Sequence, residues 1–302
     1  LGMDIVGHRS IFYVLSGLLF AASIAALAIR GLDLGIDFTG GSLIEVAFPV
    51  ERPPTEELSR RLGALGLGEA RLQPTGERGL LVRLRHLTEA EHQQALAALA
   101  HAQSGISEQR FDTVGPTIGR ELARKSVLAI TLVILLIVSY IAWAFRRVSA
   151  PIASWKYGVT TVVALIHDVI VPAGFFASLG HFVGFEADTL FVTAILTILG
   201  FSVHDTIVVF DRIRENLKKS PPHGDFAALV NTSVSQTLVR SLNTSLTVAL
   251  ALAAVYLFGG ATTRVFSLTL LIGIIVGTYS SIFIASPLLV TWHQWSVKAK
   301  NK

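Results

Sequence analysis

Thr189–Phe210 reads TLFVTAILTILGFSVHDTIVVF, a run whose only formal charge is Asp205. A second run has the same property. Between Phe226 and Thr263 the only formal charge is Arg240. Both are long enough to cross a bilayer as a helix, which takes roughly 20 residues. A charge at mid-membrane costs about 2.5–3.5 kcal/mol on insertion scales. That is a large share of a total stability of about 5–15 kcal/mol. Asp205 and Arg240 are therefore expected to face each other or a wet cavity. By default such residues mark an ion or proton path.

The whole chain has the same character. Over 302 residues it is 52% hydrophobic and 15% charged, with a mean hydropathy of +0.60. A soluble protein usually carries about 25% charge. Four further apolar runs, Ser10–Ile29, Ser126–Phe145, Tyr157–Gly180 and Val265–Trp292, join Thr189–Phe210 and a run from about Ser235 to Phe258. Lipid admits only helices or closed barrels, and the strand-length alternation of a barrel is absent. The fold class is a polytopic α-helical membrane protein with six transmembrane helices. The first run lacks a small-residue cleavage site and reads as an anchor rather than a cleaved signal. With no Cys there is no disulfide or thiolate chemistry. The single Met is Met3, which fits a fragment or half of a longer polypeptide.

The basic pI, near 9.5, points to topology and not to nucleic acid, because the basic residues sit at the ends of apolar runs. Arg9 precedes the first span, and Arg146, Arg147 and Lys156 join the second and third. Arg212, Arg214, Lys218 and Lys219 join the fourth and fifth, and Lys298, Lys300 and Lys302 close the chain. The other side has only Arg264 in its short loops. Both termini are expected in the cytoplasm, which places residues 31–120 outside. The expected organisation is residues 1–30 as the terminus and first span, 31–120 as an extracytoplasmic domain, and 121–302 as a five-helix region.

The outer stretch reads as a small α+β domain. Ser42–Phe48 is a predicted strand. Thr55 is placed as the cap of a helix with Glu56 and Glu57 in its first turn and Leu58, Leu62 and Leu65 on one face. A short strand near Ala70–Gln73 follows. Leu80, Val82 and Leu84 alternate with Arg83 and Arg85 as a half-buried strand. Thr88 and Glu91 form a capping box for a helix to about Ala102. Ser107–Val114 is the last strand. The order β-α-β-β-α-β is ferredoxin-like.

Depth decides which intramembrane groups can meet. Asp205 is seven residues inside Arg212, roughly 10 Å, and Arg240 lies at a similar depth on the antiparallel helix that follows. On that helix Gln236, Arg240, Asn243, Thr244 and Thr247 share a face. Thr193, Thr197, Ser202 and Asp205 are placed on one face of the fourth span. Such hydroxyls and amides often only join helices; the two charges are harder to explain that way. Asp168 is a third intramembrane carboxylate, roughly 18 Å beyond Lys156. It reads either as a second relay point or as a buried protonated acid bonded to a neighbour. His204 points about 100° away from Asp205 and either shuttles protons or simply hydrogen-bonds. Gly273 and Gly277 form a GxxxG pair. No phosphate loop, metal-ligand spacing or nucleophile with a base is present, so no enzyme chemistry, metal or cofactor is expected.

These residues resemble the SecD/SecF family of the resistance-nodulation-division superfamily, on its SecF side. The resemblance is carried by Gly35-Ile36-Asp37-Phe38-Thr39-Gly40-Gly41, Val114-Gly115-Pro116 and Leu165-Ile166-His167-Asp168. It continues in Ser202-Val203-His204-Asp205-Thr206 through Asn216, Asn231-Thr232-Ser233, Gln236 through Arg240, and Gly277-Thr278-Tyr279-Ser280-Ser281. It implies a subunit in the bacterial inner membrane that assists late steps of protein export through the SecYEG channel. The coupling ion is then the proton, with Asp205 and Arg240 as the coupling residues, and sodium is an open alternative. It also implies a SecD partner, separate or fused as the other half of a SecDF chain, with unfolded exported polypeptide as the cargo and lipid around it. Two rival readings stand beside this one: a proton-driven small-molecule or lipid transporter half of the same superfamily, and a non-transporting assembly subunit. The intramembrane charges favour transport.

Overall fold

The computed structural model describes residues 4–146, 152–183, 185–219 and 225–300. Arg147 and Lys302, two of the topology-setting basic residues, lie outside this set. The chain forms two compact units. One comprises Asp33–Leu128 together with Glu186–Thr189, and so includes the first turns of the helix from Pro116 and the first residue of the helix from Thr189; the other comprises the described residues of 1–32, 129–185 and 190–302.

The first unit is the α+β domain. After the short helix α2 (Ile36–Thr39) come β1 (Gly41–Ala47), α3 (Thr55–Gly63), β2 (Arg71–Thr75), β3 (Gly79–Leu84), α4 (Glu89–Ala102) and β4 (Ser107–Val114). The sheet order is β2-β3-β1-β4. Pairing is antiparallel throughout, so β3 lies between β1 and β2 in the split arrangement that the order implies. Ile44, Val46, Leu80, Val82, Leu58, Leu62, Ala95 and Leu99 are fully buried between sheet and helices. The Thr88–Glu91 capping box is present in both directions.

Two local expectations shift. Pro54, not Thr55, holds the cap position of α3, and no side chain caps it. Thr55 instead begins the helix. The second strand runs to Thr75, past Pro74. A proline removes a ladder donor, and it is tolerated there because β2 is an edge strand.

The second unit is the helical one. Among the described residues, six helices are long and apolar enough to cross a membrane. They are α1 (Arg9–Arg30), α5 (Pro116–Ala144), α6 (Ser154–Val183), α7 (Thr189–Lys219), α8 (Phe226–Phe258), and a sixth built from α9 (Ala261–Ser280) and α10 (Ser286–Lys300). A π-helical turn over Ser281–Ala285 joins α9 to α10. Pro287 lacks the N–H that would continue an ordinary α-helical ladder through this turn. Within the turn, Ser286 Oγ donates to the Ser281 carbonyl at 3.0 Å. Close approach is set by glycine. A Cβ on Gly174 of α6 would sit 2.4 Å from Ser23 Cα of α1. A Cβ on Gly273 would meet Ile198 Cδ1 at 2.1 Å, and one on Gly277 would meet Ser202 Cβ at 3.0 Å. The GxxxG pair is thus the packing face of α9 on α7.

Candidate functional site

Helix α8 buries Ser233, Thr237, Ser241 and Ser245, small hydroxyl residues four apart, so they form one stripe. Helix α7 buries Ser202, Asp205 and Thr206. α9 and the π turn contribute Thr278, Ser280 and Ser281, all buried. With Asp168 from α6, these side chains make a polar layer inside an otherwise apolar bundle.

Two carboxylates sit in that layer with different surroundings. Asp168 is fully buried. Its Oδ2 accepts from Ser202 Oγ at 2.5 Å and Ser280 Oγ at 2.6 Å, and its Oδ1 lies 3.0 Å from His167 Nδ1. Asp168 thereby ties α6 to α7 and α9. Pro172 lies within α6 and has no N–H to offer the Asp168 carbonyl one turn earlier. Asp205 is 7% exposed. Its Oδ1 accepts from Ser241 Oγ at 2.5 Å, while its Oδ2 is buried with no hydrogen-bond partner among the described residues. Asp168 bonds at the level of Ser202, three residues or about 4.5 Å along α7 from Asp205. That is the order of depth expected from the sequence.

The layer is knitted by further hydroxyl pairs: Thr206 with Ser281 at 2.7 Å and Ser245 with Thr278 at 2.5 Å. Ser281 Oγ also donates to the Ser202 carbonyl at 3.3 Å. His167 Nε2 is buried without a hydrogen-bond partner among the described residues, and its ring stacks near Phe20 and tilts against Tyr279.

The expected Asp205–Arg240 contact is not formed. No ion pair joins them among the described residues, and Arg240 is exposed on this chain. The depth is right and the face is not. Ser241, one residue on and about 100° round the helix, is the group that reaches Asp205. The predicted polar seam divides in the same way. Arg240, Asn243, Thr244 and Thr247 lie on the exposed side of α8. Gln236 turns to α7, where its Oε1 accepts from Arg212 Nε at 2.6 Å and Asn216 Nδ2 at 3.0 Å. On α7, Thr193, Thr197 and His204 are exposed while Ser202 and Asp205 are buried, so these residues do not share one face. Ser241, Thr206, Ser280 and Ser281 carry more of the layer than their type suggested. The four-residue spacing of small hydroxyls on α8 was the available signal.

The fold and this site define a class: a multi-span helical membrane protein with an α+β domain and two carboxylates buried in its bundle. Residues 94–295 match the family model described as protein export membrane protein SecD/SecF, C-terminal. Residues 25–48 match the SecD/SecF GG motif. The chain is 47% identical to a protein translocase subunit SecF of Thermobaculum terrenum, covering 96% of this chain and 94% of that one. It is 42% identical to the SecF subunit of Anaerolinea thermophila, with the same coverages. Among solved structures it resembles SecDF from Thermus thermophilus, a translocon-associated membrane protein, with a TM-score of 0.83 and 35% identity. It covers 38% of that SecDF chain, which in turn matches 96% of this one. A SecDF structure in a super-membrane-facing form gives a TM-score of 0.70 at 34% identity, over 99% of this chain and 40% of the other.

The chain belongs to the SecD/SecF family, and its near-full-length likeness is to SecF translocase subunits. Its role is accordingly in Sec protein export, as a multi-pass membrane protein.

Proposed function

We propose that this chain is the SecF-type half of a proton-driven export motor, working with SecD and the SecYEG channel on late steps of preprotein translocation. It acts as a coupling subunit and not as an enzyme, with protons as its coupling ion and no other cofactor. It sits in the bacterial inner membrane with both termini cytoplasmic and the α+β domain outside, where it can meet the unfolded exported chain.

The observation that carries the reading is the exposed polar face of α8. Arg240, Asn243, Thr244 and Thr247 lie on it, one residue round from the Ser241 that binds Asp205. Facing lipid, Arg240 alone would cost about 2.5–3.5 kcal/mol on insertion scales. A second protein surface on this face removes that cost. The likeness to SecDF, of whose length this chain covers 38%, supplies a matching partner: the SecD half.

In this mechanism the proton is carried by Asp205. Its ionised form has one donor, Ser241, and an oxygen without a partner. Arg240 stands beside it on the partner-facing side. A change in the charge of Asp205 alters the packing of α7 against α8 and of both against the partner. One charge moved through 100 mV supplies about 2.3 kcal/mol, enough to bias a two-state element separated by a few kcal/mol.

The test is proton-motive-force-dependent export of a secretory precursor in cells whose only copy carries Asp205→Asn. Loss of the dependence at wild-type membrane levels is expected. Normal export would reduce the buried layer to structure and favour the assembly-subunit reading.

A further inference from the structure

The motif Gly35–Gly41 leads into β1, and none of its residues belongs to the polar layer around Asp168 and Asp205. The loop segment Glu186–Thr189 belongs to the α+β unit although it is separated from the rest of that unit by two spans. Three kinds of contact hold it there. Leu34 and Ala187 form a parallel bridge, with Gly35 N–H donating to the Ala187 carbonyl at 2.8 Å and Ala187 N–H to the Asp33 carbonyl at 2.7 Å. Arg83 Nε pairs with Glu186 Oε2 at 2.7 Å, the two side chains being 17% and 16% exposed. Finally, Asp37 Oδ2 accepts from Thr189 N–H at 2.9 Å and from Thr189 Oγ1 at 2.6 Å.

Thr189 is the first residue of α7. The first N–H groups of a helix have no partner within it, and a carboxylate is favoured there. A cap is normally supplied by the residue just before the helix. Here a carboxylate 152 residues away in sequence contributes, and it comes from the motif. Within the motif, one glycine is required by its surroundings. Gly40 has φ +75° and no room for a Cβ, which would meet Pro116 Cα at 2.7 Å. The motif therefore holds the starts of two spans, α5 at Pro116 and α7 at Thr189.

We propose that Asp37 is a positioning residue: it clasps the start of α7 into the α+β unit, so that displacement of α7 in response to Asp205 is delivered to that unit. Helix α7 is suited to this. It runs without a proline from Thr189 to Lys219, whereas α6 contains Pro172 and the sixth span is interrupted by the π turn. Asp205 lies sixteen residues from Thr189, about 24 Å along the helix. The proposal rests on the proton-coupled reading above, and its test separates the two.

The test uses the full chain with its SecD partner, in cells and in proteoliposomes. Asp37→Ala is expected to leave Asp205-dependent proton conduction intact while proton-driven export falls about tenfold, the scale of a lost side-chain cap. Hydrogen exchange in the first turn of α7 should quicken by a similar factor. Because the chain has no Cys, Leu34→Cys with Ala187→Cys provides a reversible link across the bridge. Added to Asp37→Ala, it should restore export when oxidised and lose it again on reduction. Unchanged export in Asp37→Ala, or no recovery with the disulfide formed, overturns the clasp. If Asp205→Asn exports normally, the proton-coupled reading fails instead, while the exchange result still reports on the cap.

Discussion

Replacing Asp168 separates two roles that the sequence left open. In the structure the carboxylate receives Ser202 and Ser280 and lies beside His167, so Asp168→Ala removes three hydrogen bonds at once. Interhelical bonds inside membrane proteins average about 0.6 kcal/mol and reach about 1.7. Three of them amount to about 2 kcal/mol on average and about 5 at the ceiling. The lower figure is the better expectation, because Ser280 Oγ also donates to the Gly277 carbonyl at 3.0 Å and keeps that bond. A loss of about 2 kcal/mol multiplies the unfolded fraction roughly thirtyfold, at 1.4 kcal/mol per factor of ten. The assay is reversible unfolding of the purified protein in mixed micelles, with Asp168→Asn as the isosteric control. Asp168→Asn keeps an acceptor oxygen for the serines and is expected to retain most stability and proton-driven export. The reasoning is refuted if Asp168→Asn abolishes export at normal stability and membrane level, because Asp168 would then be a relay and not a tie.

Two further outcomes follow from the same geometry. Single cysteines at Arg240, Asn243 and Thr247, on the exposed face of α8, should react with a membrane-permeant maleimide in the chain alone and be protected when SecD is co-expressed; equal labelling in both would remove the partner from that face. In the α+β domain, the hydrogen bond from Arg85, with help from Thr88, holds the Glu91 carboxyl down at about 2 from an ordinary value of 4.5. A lowered acid contributes stability that is complete above its unfolded value and lost as pH falls through its folded one. Protection of the α4 amides against exchange, corrected for intrinsic rates, should therefore hold above about pH 4.5 and decline toward pH 2. The Glu91→Gln variant should lack that decline, and an identical profile would refute the assignment.

Much of this architecture was legible in the sequence because it rests on local physics. Apolar length gave the six spans, and Thr88 with Glu91 gave the start of α4 to the residue. Alternation at Leu80, Val82 and Leu84 gave β3 and its buried face. Thr55 was read as the cap from its residue type and the acids after it; Pro54 holds that position instead, its fixed φ suiting the entrance to a helix. The site was legible in level but not in rotation. Counting residues along the two helices put Asp205 and the Arg240 turn of α8 level with each other, and the Ser241–Asp205 bond has them so, since rise per residue is nearly constant. The rotation of α8 is set by packing: the small hydroxyls Ser233, Thr237, Ser241 and Ser245 allow close approach to the bundle, and this turns Arg240 outward. Asp37 was not legible at all as a cap, because its partner Thr189 is 152 residues away and no periodicity spans that distance.

The two buried acids show why charge alone is a poor guide to role. Both lie in apolar runs and both incur a desolvation cost on entering the bundle. Asp168 meets that cost with hydroxyls from two neighbouring helices, and α9 comes near enough to provide one because Gly273 and Gly277 let it pack on α7. A group held from three sides changes its charge only by releasing its neighbours. Asp205 has one hydroxyl and one oxygen without a partner, with the Arg240 side of α8 beside it. A group held this lightly can gain or lose a proton while the bundle around it stays assembled, and the consequence falls on whatever covers the exposed face. On the proton-coupled reading proposed above, it is the distribution of hydrogen bonds, more than the presence of carboxylates, that suits Asp205 to carry the proton and Asp168 to tie the helices.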